Sequence, residues 1–298
     1  MVDTEELVKG NLNIENSELD LREKELKDDD VIAIMKSEQM KGVTALFLEF
    51  NEIGDEGIRA ILECPAMKNL TALNMFNNEI TDDGLIALVK SKTMLNLSEL
   101  ILSDNNITAK GARALADSSI MGNLVSLWVG NGLEDEGAKA IAESETLTRL
   151  NSLSLYRNNI ANDGAFAIAK SKNLAKLIEL NLNWNYVEAE GAIALANSET
   201  LQNLQQLTMT FNPIGNEGIK AIAKSEMMKN LTMMDFYEAG ITDEGAKAIA
   251  ESKVLANLET LVLVHNDISE PVQEMIQKSE NLPKLSSVVF RLGSSEEA

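Results

Sequence analysis

The sequence predicts an α/β solenoid, a parallel β-sheet on one side and α-helices on the other, repeated along the whole chain. Three observations predict it: a pattern that recurs every 27 residues, a change of apolar period inside each copy, and Asn and Gly at fixed places in that copy. Each copy is too small to bury its own apolar face, and stacking of copies removes that difficulty.

The repeat is explicit in LTALNMFNNEITDDGLIALVKSKTMLN from Leu70 and LSELILSDNNITAKGARALADSSIMGN from Leu97. Further copies begin at Val43, Leu124, Leu150, Leu177, Leu204, Leu231 and Leu258, and the copy at Leu124 is one residue short. A degraded copy starts at Asn16 and keeps Leu19, Leu21 and Leu26, and a final stub starts at Leu285 with Val288 and Phe290. Residues 1–15 are then a lead-in. Residues 16–298 are one domain of about ten helix-bearing repeats, a terminal strand and a short acidic tail.

With slots numbered 1 to 27 in a copy, slots 1, 4 and 6 are aliphatic, slot 9 is Asn and slot 11 is Ile, Leu or Val. Slot 15 is Gly, slots 18 to 20 are alanine-rich, and slot 22 is Ser. The opening LxxLxL alternates with period two and reads as a short strand. The later G-A-x-A-I-A-x-S reads as a helix. Pro271 in the copy at Leu258 stands at a helix start, and Val272 there replaces the slot-15 Gly, as expected of a C-terminal cap region. The degraded copy at Asn16 fits the N-terminal cap.

This LxxLxLxxNxI(G/T)DEGxxAIAxS pattern resembles the leucine-rich-repeat family, in its ribonuclease-inhibitor-like class and in a bacterial-type variant. The resemblance covers residues 16 to about 292. It implies a right-handed horseshoe with the sheet on the concave side and the helices on the convex side, and a role in binding partners rather than in catalysis. Mammalian ribonuclease inhibitors are cysteine-rich and this chain has one Cys, so the resemblance does not extend to ribonuclease as a target.

The recurring residues read as structural. Slot-9 Asn51, Asn78, Asn105, Asn131, Asn158, Asn185, Asn212 and Asn266 carry amides able to satisfy turn backbone and to form a ladder, with a gap at Ala239. The slot-15 glycines suit close helix-to-sheet packing or an unusual backbone angle, and no phosphate-loop signature accompanies them. Acid pairs before them, such as Asp55-Glu56 and Asp82-Asp83, suit helix starts with Thr81 or Thr242 as caps better than a calcium site. Cys64 occupies the serine slot and reads as a packing variant. The copy at Leu124 calls for a tighter turn near Gly130.

Function is sought where slots vary. Slots 3, 5, 7 and 8 face the open side of the sheet, and they hold Phe47, Phe50, Phe76, Trp128, Tyr156, Trp184, Phe211 and Tyr237. That is most of the chain's seven Phe, two Trp and three Tyr. Strand propensity accounts for aromatics on strands but not for their preference for the outward slots. The same slots carry Glu18, Asp20, Glu23, Glu49, Glu99, Asp104, Glu179, Asp235 and Glu238 against Arg22, Arg157 and Arg291. The expected partner-binding set is those eight aromatics with Arg157, Glu238 and His265, an aromatic and mildly acidic face suited to a protein presenting Lys or Arg beside apolar anchors.

Composition narrows the classes further. A net charge of −21 argues against nucleic acid and against anionic lipid. The single Cys excludes an internal disulfide, and no apolar run reaches the length of a membrane span. His265, the one histidine, makes neither a triad nor a zinc site, and no cofactor or catalytic set is implied. The expectation is a non-catalytic, cytoplasmic protein–protein interaction scaffold, monomeric or weakly dimeric. No cleavable signal is visible, and export without one would leave the same sequence. Glycan or small-ligand binding on the aromatic face, with Asn74, Asn181 and Asn183 as hydrogen-bonding groups, and self-association through that face stay open.

Overall fold

The structure, a computed structural model, describes residues 4–291. Strands and helices alternate as expected, and the chain forms two compact units, one of residues 1–133 and 144–150 and the other of residues 134–143 and 151–298.

The first unit contains α1 (Thr4–Asn11), β1 (Glu18–Asp20), α2 (Asp28–Ile34), β2 (Ala45–Phe47), α3 (Asp55–Glu63), β3 (Ala72–Asn74), α4 (Asp82–Lys90), β4 (Glu99–Ser103), α5 (Ala109–Ala116) and β5 (Ser126–Gly130). Its strands pair in parallel in chain order, with Leu19 opposite Leu46, Leu46 opposite Leu73, Leu73 opposite Leu100 and Leu100 opposite Leu127. The second contains α6 (Glu134–Glu143), β6 (Ser152–Ser154), α7 (Asn162–Lys170), β7 (Glu179–Asn181), α8 (Ala189–Ala196), β8 (Gln206–Thr208), α9 (Gly215–Lys224), β9 (Met233–Asp235), α10 (Asp243–Ala250), β10 (Thr260–Val262), α11 (Glu270–Gln277) and β11 (Ser287–Val289). Its strands also pair in parallel and in chain order. Slot-4 and slot-6 side chains such as Leu73, Met75, Leu180 and Leu182 meet the apolar faces of the helices, and all are at most 1% exposed.

Three polar ladders tie neighbouring repeats. In the first, the slot-9 amide reaches back one repeat. Asn185 Oδ1 accepts from the N–H groups of Asn158 and Ile160 at 3.0 and 2.9 Å, and its Nδ2 donates to the carbonyls of Leu155 and Leu182, each at 2.9 Å. In the second, slot-22 serines donate to a carbonyl of the preceding repeat, as Ser198 does to Ala169 at 2.6 Å. Cys64 takes this place with Sγ 3.3 Å from the Met35 carbonyl, the packing variant that its slot implies.

The third ladder explains the acid pairs and the glycines together. The first acid of each pair serves the next repeat rather than its own helix. Asp135 Oδ1 accepts from the N–H groups of Ala161 and Gly164, each at 2.8 Å, so it caps the N-terminus of α7. Asp82 does the same for Thr108 and Gly111, and Asn162 for Glu188 and Gly191. That arrangement forces glycine at slot 15. A Cβ on Gly164 would stand 2.6 Å from Ile160 Cγ2 and 2.7 Å from Asp135 Oδ1. Close approach, not an unusual angle, is the reason for the glycine. Thr81 caps α4 as expected, accepting from the Asp83 N–H, whereas Thr242 makes no such bond to its own helix.

Three departures have local causes. In the short repeat, β5 runs on to Gly130, which adopts φ 104°, and Asn131 is left exposed instead of joining the ladder. At Ala239 the missing amide is replaced by backbone: the Ile214 N–H donates to the Asn212 carbonyl at 2.8 Å and the Gly215 N–H to the Ala239 carbonyl at 3.0 Å. Gly215 and Gly240 take positive φ, 60° and 72°, to make this turn. At the N-terminus the degraded copy is a regular repeat, and the covering element is α1 in the lead-in. Leu12 forms an antiparallel bridge with Leu19, and Val8 is fully buried.

Candidate functional site

The outward slots were expected to lie on strands. The strands are mostly three residues long and end at slot 5, so slots 7 and 8 belong to the turn that follows. Slot 8 has a left-handed backbone in nearly every repeat: Glu23, Phe50, Asn77, Asp104, Arg157, Trp184, Phe211, Glu238 and His265 all have φ between 49° and 57°. Bulky side chains are uncommon there, because the Cβ crowds the backbone in this region. Among the slot-8 residues, Phe50, Trp184 and His265 are exposed and Phe211 is half-buried.

In the first unit, Phe50 and Phe76 form an edge-to-face pair with centroids 5.3 Å apart. Phe47 is half-buried at the register position between Asp20 and Asn74, and Trp128, 37% exposed, lies in register with Ile101. These two are therefore not joined to the Phe pair in a single stack.

Acid chemistry surrounds Phe47. Asp20 accepts from the Arg22 guanidinium, Nε–Oδ1 2.9 Å and Nη2–Oδ2 2.6 Å. That bond holds the Asp20 carboxyl below its ordinary range. Glu49 is only 7% exposed; its Oε1 accepts from Asn74 Nδ2 at 2.7 Å, while its Oε2 has no hydrogen-bond partner among the described residues. Burial pushes the Glu49 carboxyl up.

The second unit holds a continuous column of rings. Trp184 stacks on Phe211 at 3.9 Å, Phe211 meets Tyr237 at 4.9 Å, and Tyr237 meets His265 at 4.9 Å. Arg157 lies 5.8 Å over the ring of Tyr156, within reach of a cation–π attraction. Glu238 is exposed, next in sequence to Tyr237. Asp235 accepts from the Tyr237 N–H at 3.1 Å, and burial raises its carboxyl above the ordinary range. Asn181 and Asn183 spend their side-chain oxygens on the N–H groups of Asn183 and Thr210, at 2.9 Å each.

Tyr186, 61% exposed, is a ring that the outward slots do not include. It occupies slot 10, held elsewhere by residues such as Glu52, Glu79, Asn106 and Asp267, so the signal that could have found it is a ring in a polar slot.

Comparison with known proteins agrees with the repeat. A family model described as Leucine Rich repeat matches residues 43–62, 66–89, 93–116, 129–142, 146–169, 173–196 and 200–223, together more than half of the chain. No curated protein is matched. Among solved structures, a leucine-rich-repeat protein of Leptospira interrogans aligns with TM-score 0.54 and 22% identity, over 91% of this chain and 60% of that one. The ectodomain of the Arabidopsis receptor kinase HAESA, solved with a peptide hormone, aligns with TM-score 0.52 and 16% identity, over 92% of this chain and 42% of that one. The chain thus spans less than two thirds of either protein. At these identities the likeness is one of fold.

Proposed function

The chain belongs to the leucine-rich-repeat family, and from that premise we propose that it is a non-catalytic recognition scaffold that binds another protein through the ring-bearing turns. The observation that carries this reading is the placement of Phe50, Trp184, Phe211 and His265 on left-handed backbone. Strand propensity, the bland account of aromatics on a sheet, has no force at residues outside the β region. A bulky residue there costs conformational energy, of order 1–3 kcal/mol for a strained residue and less for His, and at Phe50 and Trp184, both exposed, the fold gains no core packing from the ring. Side chains kept at a cost to stability are expected where they serve binding.

The ring column favours a polypeptide over a sugar. Phe211 and Tyr237 each have ring neighbours on both sides, at 3.9–4.9 Å, which leaves less free ring face for a sugar to stack on. Edges and the flanking Glu238 remain for apolar and basic side chains of a partner. The HAESA ectodomain offers a precedent for a polypeptide on this fold. The helices of every repeat support the ribonuclease-inhibitor-like class. The single thiol, Cys64, is buried and needs no oxidising compartment, which fits a cytoplasmic protein. None of the described helices is long and apolar enough to cross a membrane.

The test is capture of partners by the native chain beside a folded Trp184→Ala/Phe211→Ala/Tyr237→Ala variant. A protein retained by the native chain alone is the expected result. A partner retained equally by both would move binding to another face, and a native chain that takes sugars from a panel but no protein would revive the glycan reading.

A further inference from the structure

The first unit carries a cavity apart from the ring column of the second. Glu18, Asp20 and Arg22, on or just past β1, line it together with Phe47 and Glu49, on or just past β2. Residues 10–13 of the lead-in line it from the side of β1 away from β2, and the antiparallel bridge from Leu12 to Leu19 fixes them there. Its volume of about 500 Å³ falls within the range of about 300–1,000 Å³ usual for small-molecule sites.

The polar groups of this cavity are unequally satisfied. Asp20 and Arg22 satisfy each other through two side-chain bonds. Glu49 Oε1 accepts from Asn74 Nδ2, while the buried Oε2 has no hydrogen-bond partner among the described residues. A structural role for Glu49 ends with the Asn74 bond, which a Gln would make as well. Its second oxygen is a buried acceptor with nothing to accept from, and such a group lowers stability. Burial raises the Glu49 carboxyl, and the nearby charge of Arg22 acts the other way without cancelling the shift. Glu18, exposed, adds a further carboxylate to the cavity.

We infer that this cavity is a binding site for a primary ammonium group on a short alkyl stem, with the ammonium against Glu49 and Glu18 and the stem along Phe47. Charge selects a cation, since Glu18, Asp20 and Glu49 face one base, Arg22, which Asp20 already engages. A metal ion fits poorly. Hard cations take several oxygens, and no three His, Cys, Asp or Glu side chains among the described residues are grouped to hold one. A single free carboxylate oxygen suits an ammonium, a point charge whose donors rotate, better than a guanidinium, whose fork matches both oxygens at once. The half-buried ring of Phe47 offers apolar contact to a stem and a face to the cation. A Glu kept here at a cost to stability is then explained by the ligand that relieves it. The stem is that of a free alkylamine or of a lysine side chain, and the site stands whether or not the ring column binds a partner.

The experiment follows the backbone amide shifts of the isotope-labelled full chain, at fixed ionic strength, as n-pentylamine or Nα-acetyl-lysine amide is added. Saturable shifts confined to β1, β2 and residues 10–13 are expected, with a Kd of about 1–10 mM for so small a probe. Nα-acetyl-norleucine amide, which keeps the stem and lacks the ammonium, should give no saturable shift, and Nα-acetyl-arginine amide should bind several-fold more weakly than its lysine counterpart. Glu49→Gln, which keeps the oxygen that accepts from Asn74, should weaken binding at least tenfold without lowering the melting temperature. Glu18→Gln, at an exposed position, should weaken it several-fold and decides the matter if Glu49→Gln fails to fold. Lysine amide binding as well as pentylamine assigns the site to a lysine side chain, and pentylamine binding alone assigns it to a free amine. Shifts that never saturate, that spread over the acids of every repeat, or that neither variant changes overturn the inference. So does equal binding of the norleucine or the arginine probe. Neither variant touches the ring column, so failure here leaves the partner-binding reading intact, and failure of partner capture leaves this site intact.

Discussion

Opposing effects of similar size meet at single side chains. Trp184 gains stacking on Phe211, worth about 0.5–1.5 kcal/mol, and bears the left-handed backbone at a cost of about 1–3 kcal/mol. Asn tolerates that backbone well, so Trp184→Asn is expected to leave stability within about 1 kcal/mol of native or slightly above it, while partner capture falls. Chemical denaturation beside a capture assay checks this, and a loss of more than about 2 kcal/mol would mean that the ring is structural after all. Glu49 offers a test by pH. Its carboxyl titrates higher in the folded state than in the unfolded one because it is buried, so the fold binds the proton more tightly. Stability therefore falls as pH rises from the ordinary carboxylate value through the raised one, and the penalty is full above it. Glu49→Gln, which keeps the oxygen that accepts from Asn74, should stabilise the protein at neutral pH and lose that advantage below the ordinary carboxylate range. Equal effects at both pH values would exclude charge burial as the cause.

The repeat elements were legible because each rests on a local period: LxxLxL marks the strands, the alanine-rich segment the helices, and the Asn slot its ladder. What escaped were relations between repeats. The coupling of Asp135 to Gly164 joins residues 29 positions apart, and the glycine looks like a local choice until the carboxylate of the previous repeat is seen against it. The left-handed turn at slot 8 leaves no apolar period, so the aromatic face was found by its slots while its backbone, and hence its best support, was not. Asn131 kept its letter but lost its place, because the deleted residue shifts the turn around Gly130. Two comparisons follow. Asn185→Ala removes an amide that is 2% exposed, and with it the oxygen that accepts from the N–H groups of Asn158 and Ile160; a loss of about 2–4 kcal/mol is expected, against less than about 0.5 kcal/mol for exposed Asn131→Ala. Gly164→Ala should cost about 1–3 kcal/mol by overpacking, whereas Gly10→Ala in α1 meets nothing within 4 Å and should not destabilise. Denaturant midpoints for the four variants check both, and parity within either pair would break the assignment of that ladder.

On the scale of the whole molecule, charge sets the balance. Lys and Arg number 26 against 47 Asp and Glu, a net charge of −21, so even complete one-to-one pairing leaves the entire excess of acid without a base. Most ion pairs among the described residues are surface pairs such as Lys110–Asp83 at 3.1 Å and Lys278–Glu274 at 3.1 Å, each worth about 0–1 kcal/mol. Salt weakens such pairs and also weakens the repulsion among the unpaired acids, and the two effects on stability have opposite signs. Repulsion acts among many more groups, and it reaches further. At 0.01 M salt the screening length is about 30 Å, enough to span several repeats, whereas at 0.15 M it is about 8 Å and only neighbours interact. The net effect is therefore expected to be stabilising: raising NaCl from about 0.01 to 0.15 M should move the urea midpoint upward, and most of the gain should be complete by the upper value. A non-coordinating monovalent salt separates screening from specific ion binding, since screening depends on ionic strength alone. A midpoint that falls as salt is added would mean that the paired charges hold the repeats together more strongly than the excess drives them apart, and the acidic excess would then have to lie where its members are already far from one another.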